Sequence, residues 1–461
     1  MSEPSGPASR QPALHRDWTQ GSVVKNLLQL AWPMIVMEAT YMVSQLWDMK
    51  WVGRHEGENA IAALGIANLV TMLISTVDMG IITGARAMIA RFIGEKDNQG
   101  ARKVAAQAFI MAAVWSSLVT VFGAIFAGPI IRIFHVDPAV VADGMKYLRV
   151  FFLGWIALDI MIIGLYSMQA SGDSFRPMVL EISIRTIHLT ICPLLVLGVG
   201  FFPELGMAGA ALANVIAQCV GAVAVLTLLF GGHTRIKLSL RDIRLAPNII
   251  GRMIKIGLPS LLSMVQANFA MFVITWIILP FGTAVFAANS LVSNFQNFII
   301  TPNIGLGTAV GVLVGQNLGA KKPERAVKST WVGGGILEAF LICCGIVILV
   351  WAEPIVKFLS NDPSLVTIGA SFMRIATVGY LVMGLNSALG NCINGAGDTL
   401  PNMLINIAMI WVVQIPLTYI LSHYTALDYY GIRWALVIAN VTGLIAYFTY
   451  FRSGRWQRKK V

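Results

Sequence analysis

The sequence predicts an all-α polytopic membrane protein. It reads as twelve transmembrane helices in two six-helix bundles, related by a pseudo-two-fold axis along the membrane normal, with a central cleft. Three observations predict this. The 461 residues are 57% hydrophobic and 12% charged, with a mean hydropathy of +0.73, roughly half the charge of a water-soluble protein. Apolar runs of about 20 residues recur along the whole length, enough as helices to cross a hydrocarbon core of about 30 Å. The chain also repeats itself. Asp362, Pro363, Arg374, Gly379, Gly397 and Asp398 each lie 225 residues after Asp137, Pro138, Arg149, Gly154, Gly172 and Asp173. The same offset carries Gly305 to Gly80, Gly319 to Gly94, Pro354 to Pro129 and Gly431 to Gly206. One ungapped shift across both halves marks a duplication.

Residues 1–24 read as a flexible cytoplasmic tail, rich in Pro, Ser, Gly and Gln and lacking the apolar core of a signal peptide. The N-terminal bundle, 25–232, holds spans near Leu27–Trp51, Ile61–Ala90, Ala105–Phe126, Leu148–Gln169, Met178–Gly200 and Gly206–Leu229. A basic cytoplasmic linker, 233–252, carries Arg235, Lys237, Arg241, Arg244 and Arg252, and is the natural boundary between the copies. The C-terminal bundle, 253–451, holds spans near Ile256–Leu279, Ala284–Val314, Val327–Trp351, Phe372–Asn394, Pro401–Leu421 and Ile432–Phe451, and 452–461 form a basic cytoplasmic tail. Placing both ends inside gathers Arg10, Arg16, Lys25, Arg91, Lys96, Arg102, Lys103, the linker and Lys321, Lys322, Arg325 and Lys328 on one side, against Arg54, Arg132, Lys146 and Lys357 on the other. That asymmetry fits the positive-inside rule for a cell (inner) membrane. Six spans per copy is an even number, so the copies enter in the same orientation.

The net charge of +11 is spread between apolar runs and forms no basic patch interleaved with aromatics, which argues against nucleic acid as a partner. The five cysteines fall inside apolar runs without CxxC spacing, so they read as packing residues, and no metal or cofactor is expected. The expected partners are a small-molecule substrate and membrane lipid, with the chain a monomer.

Charge at membrane depth is costly and is retained for function or pairing. Span 1 carries Glu38, Tyr41, Gln45 and Asp48 at i, i+3, i+7 and i+10, one polar stripe on one face. Span 5 carries Glu181, Arg185 and His188 at i, i+4 and i+7, continuing to Cys192; Glu181 and Arg185 can pair on their own helix. Asp78 and Asp159 add carboxylates to the same half. The stripe has no cation one turn away, although Lys50 can reach Asp48 from a neighbouring face. In the second copy Asp78, Glu181 and Asp159 become Asn303, Asn406 and Gly384, and Glu38 and Asp48 become Ser263 and Val273; Glu338 is the exception. Asp48, Glu38, His188, Arg185, Glu181 and Asp159 are therefore the candidates for ion coupling, all in the first bundle. A carboxyl in a partly desolvated cleft is suited to taking up and releasing protons. Substrate contacts are expected from Tyr41 and Gln45, from the amides Gln266, Asn289 and Asn386, and from Met168 and Met264, whose thioethers repack around varied ligands.

Trp47-Asp48 before Val52-Gly53-Arg54, the run Ala90 to Asp97, and Gly315-Gln316-Asn317-Leu318-Gly319-Ala320-Lys321-Lys322 resemble the multidrug and toxic compound extrusion (MATE) family. So do Gly172-Asp173 and Gly397-Asp398 before spans 5 and 11. The resemblance covers Leu27 to Phe451. It implies an efflux antiporter exchanging a cytoplasmic organic compound, usually cationic, for protons or Na⁺, with Asp48 matching the first-helix coupling aspartate. Where many members have Asn and Asp in span 5, this chain has His188 and Cys192. Where Na⁺-coupled members carry acids in spans 7 and 10, it has Gln266 or Ala267 and Met383, which argues against second-lobe Na⁺ coupling; the proton is the expected ion, with a Na⁺-coupled exporter of the same family as the alternative.

Three other readings compete. A flippase for lipid-linked saccharides wants cations in both halves, and the second copy offers few. An enzyme needs a catalytic constellation, and the sequence contains no HExxH and no GxSxG. A receptor or scaffold does not account for a duplication with buried carboxylates.

Overall fold

The computed structural model describes residues 16–200, 202–360 and 362–461. Its α-helices are α1 (Val23–Glu56), α2 (Glu58–Gly94), α3 (Asn98–Arg132), α4 (Pro138–Leu153), α5 (Trp155–Ala170), α6 (Phe175–Leu197) and α7 (Gly206–Gly231). The second half continues with α8 (Pro247–Ile278), α9 (Thr283–Gly319), α10 (Pro323–Leu359), α11 (Pro363–Gly395), α12 (Thr399–Ile407), α13 (Ile415–His423) and α14 (Tyr430–Arg452).

Ten spans are long and apolar enough to cross a membrane, and α4 with α5 makes an eleventh. The twelfth is α1, whose 34 residues reach about 50 Å at 1.5 Å per residue; its polar stripe is what lowers its apolarity. The fourth span starts earlier than expected, at Pro138, and bends by 53° where α4 meets α5. Gly154 occupies the bend and lets Val215 of α7 approach its bare Cα, and glycine is a weak helix former that tolerates such a break. The eleventh span, α12 to α13, passes through a π-helical turn at Ala408–Gln414. Pro416 follows after one intervening residue, where it lacks an N–H and crowds the preceding turn.

The duplication is visible in the backbone. Three pairs of residues 225 apart share a left-handed φ: Gly57 and Gly282 (80° and 97°), Lys96 and Lys321 (61° and 58°), Gly172 and Gly397 (95° and 79°).

Each half packs its own core, and α1 and α8 belong to both, α8 through Met253 and Ile256 in the first lobe and Ile278 in the second. Leu27, Leu30 and Met34 join the core of the second lobe, whereas Met37 and Val52 join that of the first. The lobes touch where α2 crosses α8 and α9. A Cβ on Gly94 would strike the Gln316 carbonyl, and one on Gly319 would strike the Arg91 carbonyl. Arg91 and Gln316 are themselves 225 apart, so the two contacts are one contact seen twice about the pseudo-two-fold axis. A Cβ on Gly80 would lie 3.1 Å from Leu261 of α8, and one on Gly305 2.8 Å from the Ile35 nitrogen of α1. These contacts lie towards the end carrying the termini. Towards the other end, Leu69, Met72 and Leu73 of α2 are exposed.

The expected N-terminal tail lies outside the described residues as far as position 15. From Arg16 the chain is packed. Trp18 is buried, its Nε1 donates to the Gly172 carbonyl at 3.0 Å, and Lys322 Nζ donates to the Thr19 carbonyl at 3.0 Å. This segment therefore straps one lobe to the other. Burial alone would raise the Asp17 carboxyl, but the Thr19 hydroxyl and N–H, with Lys322 and Lys96, hold it below the usual carboxylate range. A lowered carboxyl stays charged above its ordinary value and is lost only as pH falls through the lowered one. The strap therefore does not titrate between about pH 5 and 8. The other tail is also folded: Trp456 is fully buried, and Lys459 Nζ meets Asp398 at 2.8 Å.

Candidate ion and substrate site

α1 and α6 face each other with their polar stripes in register. Trp47 Nε1 donates to the Leu189 carbonyl at 3.0 Å and pins the two helices together. On α6 Glu181, Arg185, His188 and Cys192 are all buried. Asp48, also buried, accepts on Oδ1 from Cys192 Sγ at 3.4 Å, and His188 Nε2 stands 3.1 Å from the same oxygen. The expectation that Asp48 lacks a local partner is thus corrected, because the partner comes from α6. Lys50 does not serve it; its ammonium sits 4.8 Å and 5.3 Å from the rings of Trp47 and Trp51.

Two turns along, Arg185 Nε donates to Glu181 Oε1 at 2.7 Å, the expected pair within one helix. The guanidinium lies 5.0 Å from the centre of the Tyr41 ring. Glu38, half-buried, is within electrostatic reach of Glu181 and of Arg86 on α2. Arg86 was not singled out in the sequence, although a lone arginine in the middle of an apolar run was signal enough. Tyr147 of α4 is buried beside Asp48 and was also missed. Asp159 does not join this group. It is buried between helices with Asp78 as its acidic neighbour, and neither Asp159 oxygen has a hydrogen-bond partner among the described residues.

Asp48, His188 and Cys192 offer one ligand atom each within 4.8 Å of one another. Na⁺ is a hard cation wanting oxygen ligands, and this trio offers oxygen only from Asp48. Within the trio Cys192 donates to Asp48, while neither His188 nitrogen has a hydrogen-bond partner among the described residues.

The expected substrate residues separate. Tyr41 and Gln45 are exposed on α1, and Met264 is exposed on α8. Met168 is fully buried in the first-lobe core and so does not line an open cleft. Gln266 accepts from Trp411 Nε1 at 2.8 Å, tying α8 to the π-turn. The Asn289 carbonyl accepts from Arg433 at 3.0 Å within the second lobe. Asn386 alone among these lines a second-lobe cavity of about 260 Å³.

The MatE family profile matches residues 33–194 and 259–420, two blocks of equal length, one in each half of the chain. The chain belongs to the MatE family. The blocks run from within α1 into α6 and from within α8 into α13, so both the Asp48 site and the glycine contacts fall within MatE sequence, while the Trp18 residue of the strap lies outside it. Among MatE relatives, the chain is 24% identical to the probable multidrug resistance protein NorM of Thermotoga maritima, covering 95% of this chain and 94% of that one. It is 22% identical to the FAD transporter of Shewanella oneidensis, covering 92% and 93%. Among solved structures it superposes with a TM-score of 0.89 at 23% identity on an outward-facing multidrug resistance MATE transporter, covering 96% and 98%. A Pyrococcus furiosus transporter described as having a binding pocket of reversed polarity gives 0.88 at 23% identity. The chain is a multi-pass member of the MatE family.

Proposed function

We propose that this transporter exports small amphipathic, chiefly cationic organic compounds in exchange for protons by alternating access. Asp48 is the coupling carboxylate, and His188, Glu38, Glu181 and Arg185 set its surroundings. The observation that carries the reading is the position of Asp48: buried at membrane depth on α1, a helix whose two ends pack in different lobes. Adding a proton to Asp48 removes the acceptor charge that His188 and Cys192 now address, which weakens the seam between α1 and α6. Because α1 also builds the second-lobe core, a change in that seam bears on how the lobes sit together. The ligand chemistry of the trio favours protons over Na⁺. The basic residues grouped with the termini support a cytoplasmic placement for both ends in the inner membrane. The glycine contacts then close the cytoplasmic side and the cleft faces out. The protein works as a monomer in lipid, without a cofactor and without catalysis.

The test is efflux of ethidium from energised cells. Wild type is expected to export it and Asp48→Asn to fail at comparable protein levels. Equal export by the two at every pH would remove Asp48 from the mechanism.

A further inference from the structure

The second lobe contains a polar hollow. Seven asparagines, Ser387 and Tyr447 line its roughly 260 Å³, and no charged side chain does. Shifted by 225 residues, none of the seven meets an asparagine: Asn386, Asn402 and Asn440 fall on Met161, Pro177 and Val215, and Asn303 and Asn406 on Asp78 and Glu181. The hollow was therefore built after the duplication or kept by one copy only.

Burying amides at membrane depth is unfavourable unless each is hydrogen-bonded. Some are. Asn406 Nδ2 donates to Tyr447 Oη at 2.9 Å, which donates in turn to Asn402 Oδ1 at 2.6 Å. Asn386 Nδ2 donates to the Asn440 carbonyl at 2.8 Å. The side-chain oxygens of Asn303, Asn386 and Asn394 are buried and have no protein partner. What is left over is thus a set of acceptors, supplied by three turns of α11 and by α9. Met383 and Met409 form an apolar wall, and Met409 belongs to the π-turn, a backbone irregularity that frequently marks functional sites.

We propose that this hollow binds one neutral, hydroxyl-rich ring of monosaccharide size. Hydroxyls donate to the unpaired amide oxygens and accept from amide N–H groups, while the ring's C–H face lies on the methionines. A charged ligand would enter with no counter-charge, a burial that is strongly unfavourable. The volume is below the range of about 300–1,000 Å³ typical of drug-sized sites, so it takes one ring and not a whole drug. The inference shares with the export reading only that the occupant is part of a transported molecule; binding itself needs no gradient.

The test uses the full-length protein in lipid nanodiscs freed of sugar-based detergent, probed by equilibrium dialysis with radiolabelled glucose, galactose and myo-inositol, and with choline as the cationic arm. Wild type should bind at least one of the three neutral rings saturably, unaffected by excess choline. The double variant Asn303→Asp/Asn394→Asp keeps the side-chain shapes, copies at one position the carboxylate found in the other lobe, and should weaken ring binding at least about tenfold while admitting choline. Asn386→Leu, checked for a wild-type melting profile, should lose the ring as well. No saturable binding of any of the three up to about 50 mM, binding that choline displaces, or binding untouched in both variants would overturn the proposal. Asp48→Asn should bind the ring like wild type, so failure here and failure of proton coupling are read separately.

Discussion

Replacing Gly94 or Gly319 by alanine should loosen the closed end of the transporter. In each case the new methyl meets a backbone carbonyl of the facing helix, Gln316 or Arg91, and not the end of a flexible side chain. The helices must therefore part to admit it, and overpacking of this kind costs about 1–3 kcal/mol. Set against the alternative conformation, in which these ends are apart, that cost shifts the population by about 5- to 150-fold. The two substitutions should act alike, because they are equivalent about the pseudo-two-fold axis. Gly65→Ala and Gly251→Ala are the controls: a methyl at either finds nothing within 4 Å, and alanine in a helix gains about 0.5–1 kcal/mol over glycine. The assay is electron-electron double resonance between spin labels at Asn98 and Lys328, near the starts of α3 and α10 in opposite lobes. Gly94→Ala and Gly319→Ala should both populate a longer distance, and the controls should keep the wild-type distribution. The reasoning is refuted if either variant matches wild type, or if the controls shift equally.

Three other substitutions probe neighbouring parts of the account. Arg185→Met leaves Glu181 buried without its cation and should reduce stability by about 3–5 kcal/mol, with Glu181→Leu/Arg185→Met recovering most of the loss; a thermal melt in nanodiscs that ranks the double variant below the single one contradicts this. His188→Leu removes the imidazole that stands 3.1 Å from Asp48 and should lower transport at least about tenfold at comparable protein levels; unchanged transport assigns His188 to packing. Trp18→Ala severs the strap at Gly172 and should raise labelling of a cysteine placed at Asn98 by about the same factor at pH 5 and pH 8, since Asp17 stays charged across that window; a pH-dependent effect would contradict the reading of the strap.

Much of the fold was legible because its signals are local or periodic. Apolar runs and the basic asymmetry give the spans, and the 225-residue offset gives the two lobes. Gly94 and Gly319 were visible as repeated letters, but that they face residues 316 and 91 depends on how two distant helices cross. The Glu181–Arg185 pair was readable because it lies within one helix, whereas the Asp48–His188 contact spans 140 residues. Met168 shows the limit from the other side: a methionine in an apolar run reads the same whether it lines a cleft or fills a core, and burial decides. The bend at Gly154 and the π-turn before Pro416 were marked by their residues, yet neither residue states the angle it produces. Arg86 was legible and passed over, because span assignment averages over a single charge.

The most direct measurement of the central idea is proton movement in proteoliposomes containing purified protein, followed with a trapped pH dye when ethidium is supplied under an imposed pH gradient. Wild type should move protons only when substrate is present, and Asp48→Asn should move none. Substrate-linked proton flux through Asp48→Asn, or wild-type transport that follows a Na⁺ gradient and ignores pH, would contradict it.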